Sequence, residues 1–396
     1  MKARFAGLGR TAGVLVVALV VAVAAIGAGT ASGASSADTI LIGSIAGTTG
    51  AYGSTGVAMV NGAKLAVADL NARGGVLGKK FSLQSYNDQA SATLSSQLFQ
   101  RLVSAGAVAI VGSGDTGPAT SAMAQRLKVP NLGAVDDAGL TIYPDGPTKP
   151  PFEWVWSWGL NTFAWGEIVG QYARTHCKAL AVLHDPSTYG RGGEAGVKIG
   201  YEKGGKKLVL DETINEDWST GATVSLTNEI NKIKGTGADC VVVWLTPQDT
   251  ARFAQTVKST GVKLKVLGND EINADNTFAS LAGNAADGAV GAMLKTDLHP
   301  NAAVKSFRAR YKKRFHIAST PFAVANYDAI MMLAALIKKT GSTDPEKLKD
   351  AFNSVKNFKG LQGTVSFSEQ NHATITTKQL ALVQYDAKSK TWKAVK

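Results

Sequence analysis

Apolar and polar positions follow one another in short blocks along the chain, and the first blocks predict a strand, a turn and a long helix. Residues 40–42 form an apolar run without alternation, as expected of a strand buried on both faces. A polar turn rich in Gly and Thr follows at residues 47–54. Apolar side chains then recur at helical spacing at Met59, Val60, Ala63, Val67 and Leu70. Gly74 and Gly75 can close this helix.

The same succession of strands and helices continues along the chain. Further strands are predicted at residues 81–86, 107–111, 132–135, 179–184, 208–210, 240–245, 264–267 and within 380–395. The clearest later helices are predicted at residues 162–175, 222–234, 249–260, 302–315 and 323–339. Four prolines within residues 143–151 interrupt the alternation. The pattern predicts an α/β fold with two doubly wound units, each built on a parallel sheet.

The N-terminus reads as a secretory signal peptide. Lys2, Arg4 and Arg10 precede an apolar core at residues 14–26, and small residues follow. We assign residues 1–34 to the signal, with cleavage between 31 and 37. The alternative, a membrane anchor, needs about 20 apolar residues, and this run is shorter. We expect no later stretch to be long and apolar enough to span a bilayer. No cysteine lies near the cleavage region to carry a lipid, so a periplasmic or secreted protein is expected.

The charge of the chain is strongly basic. The formal net charge is +12, and it is +9 once the three basic residues of the signal segment are removed. Such a surface could suit nucleic acid, but export argues against that partner. A basic run at residues 308–314 alternates with Phe307, Tyr311 and Phe315, which fall four apart. Those aromatics are expected in the core, with the cations solvated on the opposite face.

Catalytic and metal-binding patterns are missing from the sequence. It contains no Gly-x-Ser-x-Gly, His-Glu-x-x-His or Cys-x-x-Cys, and its five histidines lack metal-ligand spacing. Residues 112–117 do fit Gly-x-Gly-x-x-Gly, with Asp136 and Asp137 about 20 residues on, as in a dinucleotide site. Pro118 and export weigh against NAD. We therefore expect no enzyme, cofactor or metal, with an exported NAD-linked enzyme as the alternative.

Several short motifs, in order, resemble one protein family. They are Gly50-Ala51-Tyr52-Gly53, residues 65–80 (LAVADLNARGGVLGKK), Val129-Pro130, His184-Asp185 with Tyr189-Gly190, Gly268-Asn269-Asp270 and Tyr327-Asp328-Ala329. Together they resemble the type I periplasmic solute-binding proteins of ABC importers, in the leucine/isoleucine/valine-binding (branched-chain amino acid) family. One departure is Gly47-Thr48-Thr49-Gly50, where that family usually has Pro-Leu-Thr-Gly.

The resemblance implies two lobes joined by a hinge that the chain crosses three times, near Leu160, Leu294 and Thr364. Lobe 1 would comprise residues 38–160 and 294–363, and lobe 2 residues 161–293 and 364–396. It also implies a monomer that closes on a small polar ligand, most simply an amino acid, and presents it to an ABC permease. A sensor domain of the same fold is a further alternative.

The resemblance also implies a set of ligand-contact residues at strand ends facing one cleft. Lobe 1 would supply Tyr52, Thr116 with neighbouring Asp115, Val135, Asp136 and Asp137, and lobe 2 would supply Tyr189, Leu245, Thr246 and Asp270.

Asp270 stands where the family keeps an acid for the ligand ammonium. The aspartates at 115, 136 and 137 would repel a ligand carboxylate. The ligand is therefore either an amino acid held by Thr116 and backbone N–H groups, or an amide, amine or aromatic solute.

Two further features lie in the second lobe or beside the first crossing. Cys177 and Cys240 each precede or open a strand, and the family's strand order makes those strands neighbours. Export favours a disulfide between them, and the alternative is two buried thiols. Trp154, Trp156, Trp158 and Trp165 cluster near the first crossing. They could form a buried layer or an aromatic wall of the cleft.

Overall fold

The computed structural model describes residues 39–50, 53–112, 114, 116–133, 138–146, 148–216 and 224–395. Its strands are β1 (Thr39–Ala46), β2 (Lys80–Asn87), β3 (Ala109–Gly112), β4 (Leu180–His184), β5 (Leu210–Thr213), β6 (Cys240–Trp244), β7 (Lys265–Gly268), β8 (Val290–Leu294), β9 (Phe358–Gly360), β10 (Gly363–Val365), β11 (Leu380–Asp386) and β12 (Thr391–Ala394). Its helices are α1 (Gly53–Ala72), α2 (Ala92–Ser104), α3 (Gly117–Leu127), α4 (Ala138–Ile142), α5 (Thr162–His176), α6 (Thr188–Tyr201), α7 (Thr227–Thr236), α8 (Pro247–Thr260), α9 (Thr277–Ala282), α10 (Lys295–Leu298), α11 (Ala302–Phe315), α12 (Pro321–Thr340) and α13 (Pro345–Asn353).

One predicted strand does not form in its described part. In place of the predicted strand at residues 132–135, a single bridging residue stands one position earlier. This residue, Asn131, pairs with Ile110 on one side and Val155 on the other. Pro130 has no N–H to continue a ladder, and the Asn131 side chain turns the chain by accepting a hydrogen bond from the N–H of Gly133. Residues 134–137 lie outside the described residues.

The first sheet contains three parallel strands in the order β2-β1-β3. Helix α12 packs on α1 beside this sheet, and the two backbones approach closely at Gly62. A Cβ atom there would lie 2.0 Å from the carbonyl oxygen of Ala323, so only glycine fits. Among the described helices α12 alone has the length and hydropathy of a membrane span, contrary to the expectation above, but 78% of its apolar window is buried within the protein.

The second sheet contains seven strands in the order β12-β11-β8-β7-β6-β4-β5. Strands β4 to β8 run parallel, whereas β11 pairs antiparallel with both β8 and β12. The sheet is therefore mixed at one edge rather than wholly parallel. Cys177 and Cys240 form a disulfide beside the start of β4 and β6, with Cα atoms 5.9 Å apart.

The chain alternates between the two sheets. Helices α11 and α12 come between β8 and β11 in sequence, yet both pack on α1, beside the first sheet. The chain therefore leaves the second sheet after β8 and rejoins it at β11. The exact lobe boundaries at residues 160, 294 and 364 stay a prediction.

Candidate functional site

Polar residues gather where the buried strands of the second sheet end. His184 and Asp185 lie at the end of β4, Thr246 follows β6, and Asp270 follows β7. All four are buried. Because β4, β6 and β7 are neighbouring parallel strands, their carboxyl ends share one edge of the sheet. This is the edge at which open α/β sheets bind ligands.

Two acids at this edge, Asp185 and Asp270, each have a buried carboxyl oxygen without a partner in the described part of the chain, and Asp270 is the one that lines the cavity considered below. Asp270 is only 3% exposed, and its Oδ1 atom accepts a hydrogen bond of 2.7 Å from the Tyr189 hydroxyl. Its Oδ2 atom is also buried and has no hydrogen-bond partner within the described part of the chain. Burial raises the pKa of Asp270 to about 7, although the Tyr189 hydrogen bond opposes the shift. The carboxyl group is thus only half satisfied.

Tyr189 reaches Asp270 because α6 begins beside the end of β4. Ser187 caps this helix by accepting hydrogen bonds from the N–H groups of Tyr189 and Gly190. The Tyr189 ring packs against the indole of Trp244, with ring centroids 5.8 Å apart. Trp244 in turn lies on Gly193, where a Cβ atom would fall 2.0 Å from the indole. The tyrosine is therefore held in place by its cap and by a buried aromatic neighbour.

Asp270 lines a cavity of about 350 Å³. The other polar lining residues include Asn273, Arg308, Lys312 and Ser319, and the apolar lining includes Trp165. Elements of the second sheet and the segment around α11 both contribute, so the cavity lies where parts of the chain that pack on different sheets meet. Its volume lies within the range of small-molecule sites.

A cavity of about 600 Å³ lies at the other end of the second sheet, lined by Asp239 before β6, Lys265 at the start of β7 and Gly288 before β8. Among the described residues that line it, no buried side-chain atom lacks a partner. It also lies at the amino ends of the strands, where parallel sheets rarely bind ligands. The smaller cavity with Asp270 is therefore the better candidate.

Leu245 and Thr246, two of the predicted contacts, are buried beside this edge. The carbonyl oxygen of Leu245 accepts a hydrogen bond of 2.7 Å from Asn269, next to Asp270. The Thr246 N–H and hydroxyl both donate to Glu216, at 3.0 and 2.9 Å. Burial, together with the neighbouring Asp249 carboxylate, raises the pKa of Glu216 to about 8. The Thr246 hydroxyl proton is thus committed to an acid that the sequence did not single out.

Thr116, predicted to offer its hydroxyl to the ligand, is committed as well. Its Oγ1 donates to the Oδ2 of Asp88 at 2.6 Å and lies 2.6 Å from Ser95 Oγ. The residue is only 3% exposed. Because a hydroxyl has a single proton, Thr116 cannot also donate to a ligand in this conformation. The remaining predicted contacts, Tyr52, Asp115, Val135, Asp136 and Asp137, lie outside the described residues, and so does the signal segment.

The four clustered tryptophans lie in two different environments. Trp154, Trp156 and Trp158 are all buried. Trp156 stacks on Phe352 and His372, and Trp158 meets Phe358 and Phe367 edge to face. Trp165 instead lines the cavity and donates its indole N–H to the carbonyl oxygen of Ala292. Three members are therefore buried in the core, Trp154 in a different hydrophobic cluster from Trp156 and Trp158, and the fourth belongs to the candidate site.

The residues of the basic run on α11 also fall into groups with different surroundings. Phe307 and Tyr311 are buried, as the spacing predicts. Lys312 is exposed, as expected, although it also lines the cavity, whereas the expectation of a solvated cation is wrong for Arg308, which is half-buried and paired with Asp297. Arg310 instead forms an ion pair with Asp69 of α1. Within the described residues, no group of three His, Cys, Asp or Glu side chains is arranged to hold a metal ion.

Known proteins similar to this chain agree with this architecture. A family model described as periplasmic binding protein matches residues 39–390. The Leu/Ile/Val-binding protein homolog 1 of Brucella abortus (strain 2308) is 25% identical over 343 residues, covering 84% of this chain and 86% of that protein. The leucine-, isoleucine-, valine-, threonine-, and alanine-binding protein of Pseudomonas aeruginosa is 25% identical over 350 residues, covering 85% and 87%.

The fold is also that of a solved structure. The periplasmic binding protein type 1 from Bordetella pertussis Tohama I superimposes with a TM-score of 0.81 at 23% identity, covering 90% of this chain and 100% of the other. This likeness confirms the predicted fold class of two lobes built on parallel sheets.

Proposed function

The chain belongs to the periplasmic binding protein family, and from this premise we propose that it is the exported solute-binding component of an ABC uptake system. Members of the family serve transport rather than catalysis. Its relatives in Brucella and Pseudomonas are named for binding leucine, isoleucine and valine, and one also for threonine and alanine. An amino acid is therefore the ligand class that the relatives favour, and an ABC permease is the expected partner of the monomer.

The observation that carries this proposal is the unpaired oxygen of Asp270. A buried carboxylate without a partner is costly, and a ligand ammonium would supply both the counter-charge and the missing donor. Tyr189 already satisfies the other oxygen, so the acid can accept the ammonium without moving. A charge-assisted hydrogen bond of this kind is stronger than a neutral one.

Binding would bring together the two parts of the chain that line the cavity. Asp270 and Asn273 follow β7 of the second sheet, whereas Arg308 and Ser319 belong to the segment around α11. A ligand that touches both would stabilise a closed arrangement of the predicted lobes, as in hinge closure generally. Uptake then requires only that the permease distinguish the closed form from the open form.

The proposal can be tested by thermal shift on the protein without residues 1–34, against amino acids, amides, polyamines and aromatic acids. A ligand at 100 times its Kd adds about 2.7 kcal/mol of stability. Asp270→Asn should weaken the best amino-acid ligand by at least about 30-fold, because truncating one member of a buried charge pair costs about 2–5 kcal/mol. The control Asp145→Asn changes an exposed acid and should leave affinity unchanged. Equal affinities for both variants would rule out the assignment of Asp270.

Calorimetry adds a second readout. Because the pKa of empty Asp270 is about 7, the group is mostly protonated at pH 6. An ammonium ligand would hold it ionised, so binding at pH 6 should release close to one proton, seen as a heat that varies with the buffer. A neutral amide would leave Asp270 protonated and release none. This measurement separates the amino-acid hypothesis from the amide alternative.

The amine and amide alternatives are tested at Asp137. If the ligand is an amine or amide that donates to this aspartate, Asp137→Asn should weaken binding by about 1 kcal/mol or more. If the ligand carries a carboxylate nearby, the same change should leave affinity unchanged or raise it. The NAD-linked enzyme receives no support from membership of a transport family, and purified protein should show no NAD-dependent turnover.

A further inference from the structure

The cavity that holds Asp270 contains a second acid with an unsatisfied oxygen. Asp297 of α10 also lines it, and its Oδ1 atom accepts a hydrogen bond of 2.6 Å from Arg308. The Oδ2 atom of Asp297 is buried and has no partner in the described part of the chain. The same is true of Asp270, whose other oxygen accepts from Tyr189. One lining therefore contains two carboxylate oxygens, from two residues, that lack a donor.

The donors of the lining do not satisfy these two oxygens. Arg308 is engaged with the other oxygen of Asp297. Lys312, one turn further along α11, is exposed to solvent and makes no bond with the Oδ2 atom of Asp297. The buried hydroxyl of Ser319 is bonded to neither acid. Because buried polar atoms are rarely left without a partner, two such oxygens in one lining indicate a ligand that brings at least two donors.

The charges of the two acids are balanced differently. Arg308 forms an ion pair with Asp297, whose side chain is 15% exposed. Burial raises the pKa of Asp297, and the Arg308 charge opposes that shift. Asp270 accepts only from the neutral hydroxyl of Tyr189. The two acids therefore need one further positive charge, at Asp270, whereas the need at Asp297 is for a hydrogen-bond donor.

We propose that Asp297 is a second ligand-binding residue, whose Oδ2 atom accepts a hydrogen bond from an amino acid that brings donors to both acids but only one positive charge. This inference rests on the proposed function, because it assumes that Asp270 receives the ligand ammonium. The donor at Asp297 comes either from the same ammonium, which has three N–H groups, or from a side-chain hydroxyl of the ligand.

Calorimetry with leucine, valine and threonine tests the proposal, because valine and threonine have nearly the same shape and differ by one hydroxyl. Asp297→Asn keeps an oxygen for Arg308 and replaces the free oxygen by an NH₂ group, which cannot accept. It should weaken threonine at least about tenfold, as expected when one charge-assisted hydrogen bond is lost. Equal losses for valine and leucine assign the donor to the ammonium. Unchanged affinities for these two assign it to the hydroxyl.

Asp69→Asn is the matched control. Asp69 also pairs with an arginine of α11, Arg310, and its side chain is 19% exposed, but it does not line the cavity. Both variants break one such ion pair and should lose similar stability in urea, whereas Asp69→Asn should keep the affinity for threonine within about twofold. Equal affinities for threonine in the two variants would overturn the inference. So would tighter binding of the dicationic ornithine than of leucine by the wild type.

Asp270→Asn distinguishes failure of this inference from failure of the proposed function. If Asp270→Asn weakens the three amino acids and Asp297→Asn weakens none of them, only the inference about Asp297 is wrong. Failure of the wild type to bind any of the three overturns both.

Discussion

Two buried aspartates follow strands of the two sheets, and their surroundings differ. Asp88 follows β2 in the first sheet and Asp270 follows β7 in the second, and they are 1% and 3% exposed. Asp88 accepts hydrogen bonds from the hydroxyls of Ser95 and Thr116 and from the N–H of Ala90. Asp270 accepts one, from Tyr189, and its second oxygen has no partner in the described chain.

The difference separates an acid that organises the fold from an acid that awaits a partner. Asp88 ties the end of β2 to α2 and to the loop before α3, and its oxygens are satisfied within the protein. Nearly all buried polar groups are satisfied in this way. Asp270 is an exception, as is the Oδ2 atom of Asp297 in the same cavity, and unsatisfied acid oxygens beside a cavity indicate a ligand. The predictions at Asp270, Asp88 and Tyr189 below test whether this contrast holds, and the disulfide, at the opposite strand ends, serves as a reference for stability without binding.

The largest effect is expected at the far end of the second sheet. The disulfide between Cys177 and Cys240 closes a loop with a sequence separation of 63, so replacing both cysteines by alanine should lower stability by about 4 kcal/mol. Urea unfolding measures this change. Ligand affinity should be retained, because the bond lies at the strand ends opposite Asp270. A thiol assay on the unfolded, unreduced wild type should find no free thiols, and a count of two would contradict the bond.

The next largest effect is a pH-dependent gain in folding stability from Asp270→Asn. Below about pH 4, the aspartate is protonated in both the folded and the unfolded chain, so it does not alter stability. Between about pH 4 and the folded pKa of about 7, only the unfolded chain ionises. The wild type therefore loses stability as the pH rises through this window, and the loss stays constant above it.

Three pKa units correspond to about 4 kcal/mol, and weakening the hydrogen bond from Tyr189 removes about 1 kcal/mol of the gain. Without ligand, Asp270→Asn should thus be more stable than the wild type by about 3 kcal/mol at pH 8 and less stable by about 1 kcal/mol at pH 4, where only the weakened hydrogen bond remains. Urea midpoints at the two pH values provide the measurement. A difference that does not change with pH would show that Asp270 is not a strained acid.

Asp88→Ala should lower the folding stability, whereas Asp270→Asn raises it at pH 8. It leaves the hydroxyls of Ser95 and Thr116 and the N–H of Ala90 without their acceptor. Stranded buried donors cost about 1–3 kcal/mol each, but the two hydroxyls lie 2.6 Å apart and can pair with each other. A loss of about 2 kcal/mol is expected, with ligand affinity within about twofold of the wild type. Asp145→Ala is the exposed control. Loss of binding without loss of stability would place Asp88 in the ligand site instead.

Hydrophobic periodicity predicted most of the described elements, including β1, α1, β4 and β6, to within a few residues. It missed β8 because Gly288 and Gly291 interrupt its short apolar run. It misassigned residues 132–133 because the Asn131 side chain accepts a hydrogen bond from the N–H of Gly133 and turns the chain there. It could not show that β11 runs antiparallel, since direction depends on where the chain returns to the sheet.

The site was harder to predict than the fold. The motif resemblance identified Tyr189 and Asp270, and the structure places them in direct contact. It also suggested the hydroxyl of Thr116, whose partners Asp88 and Ser95 stand more than 20 residues away in sequence. Arg308 and Lys312 look like solvated charges from their spacing alone. Only the position of α11 against the cavity makes them lining residues, and a one-dimensional pattern carries no such information.

The smallest effect is expected from Tyr189→Phe, which removes the one donor that Asp270 has in the described structure. Stability should change by about 1 kcal/mol, the net contribution of a single hydrogen bond. The pKa of Asp270 should rise further, because the Tyr189 hydrogen bond stabilises the ionised form. Binding of an ammonium ligand requires that form, so the pH at which affinity reaches half its maximum should also rise.

Tyr143→Phe is the matched control, since both tyrosines are 7% exposed and the Tyr143 hydroxyl bonds with Asn371 and the N–H of His372, away from Asp270. It should cost similar stability and leave the pH profile of binding in place. If both variants shift the profile equally, the change reflects general loosening of the fold, and the Tyr189–Asp270 contact has no special part in ligand binding.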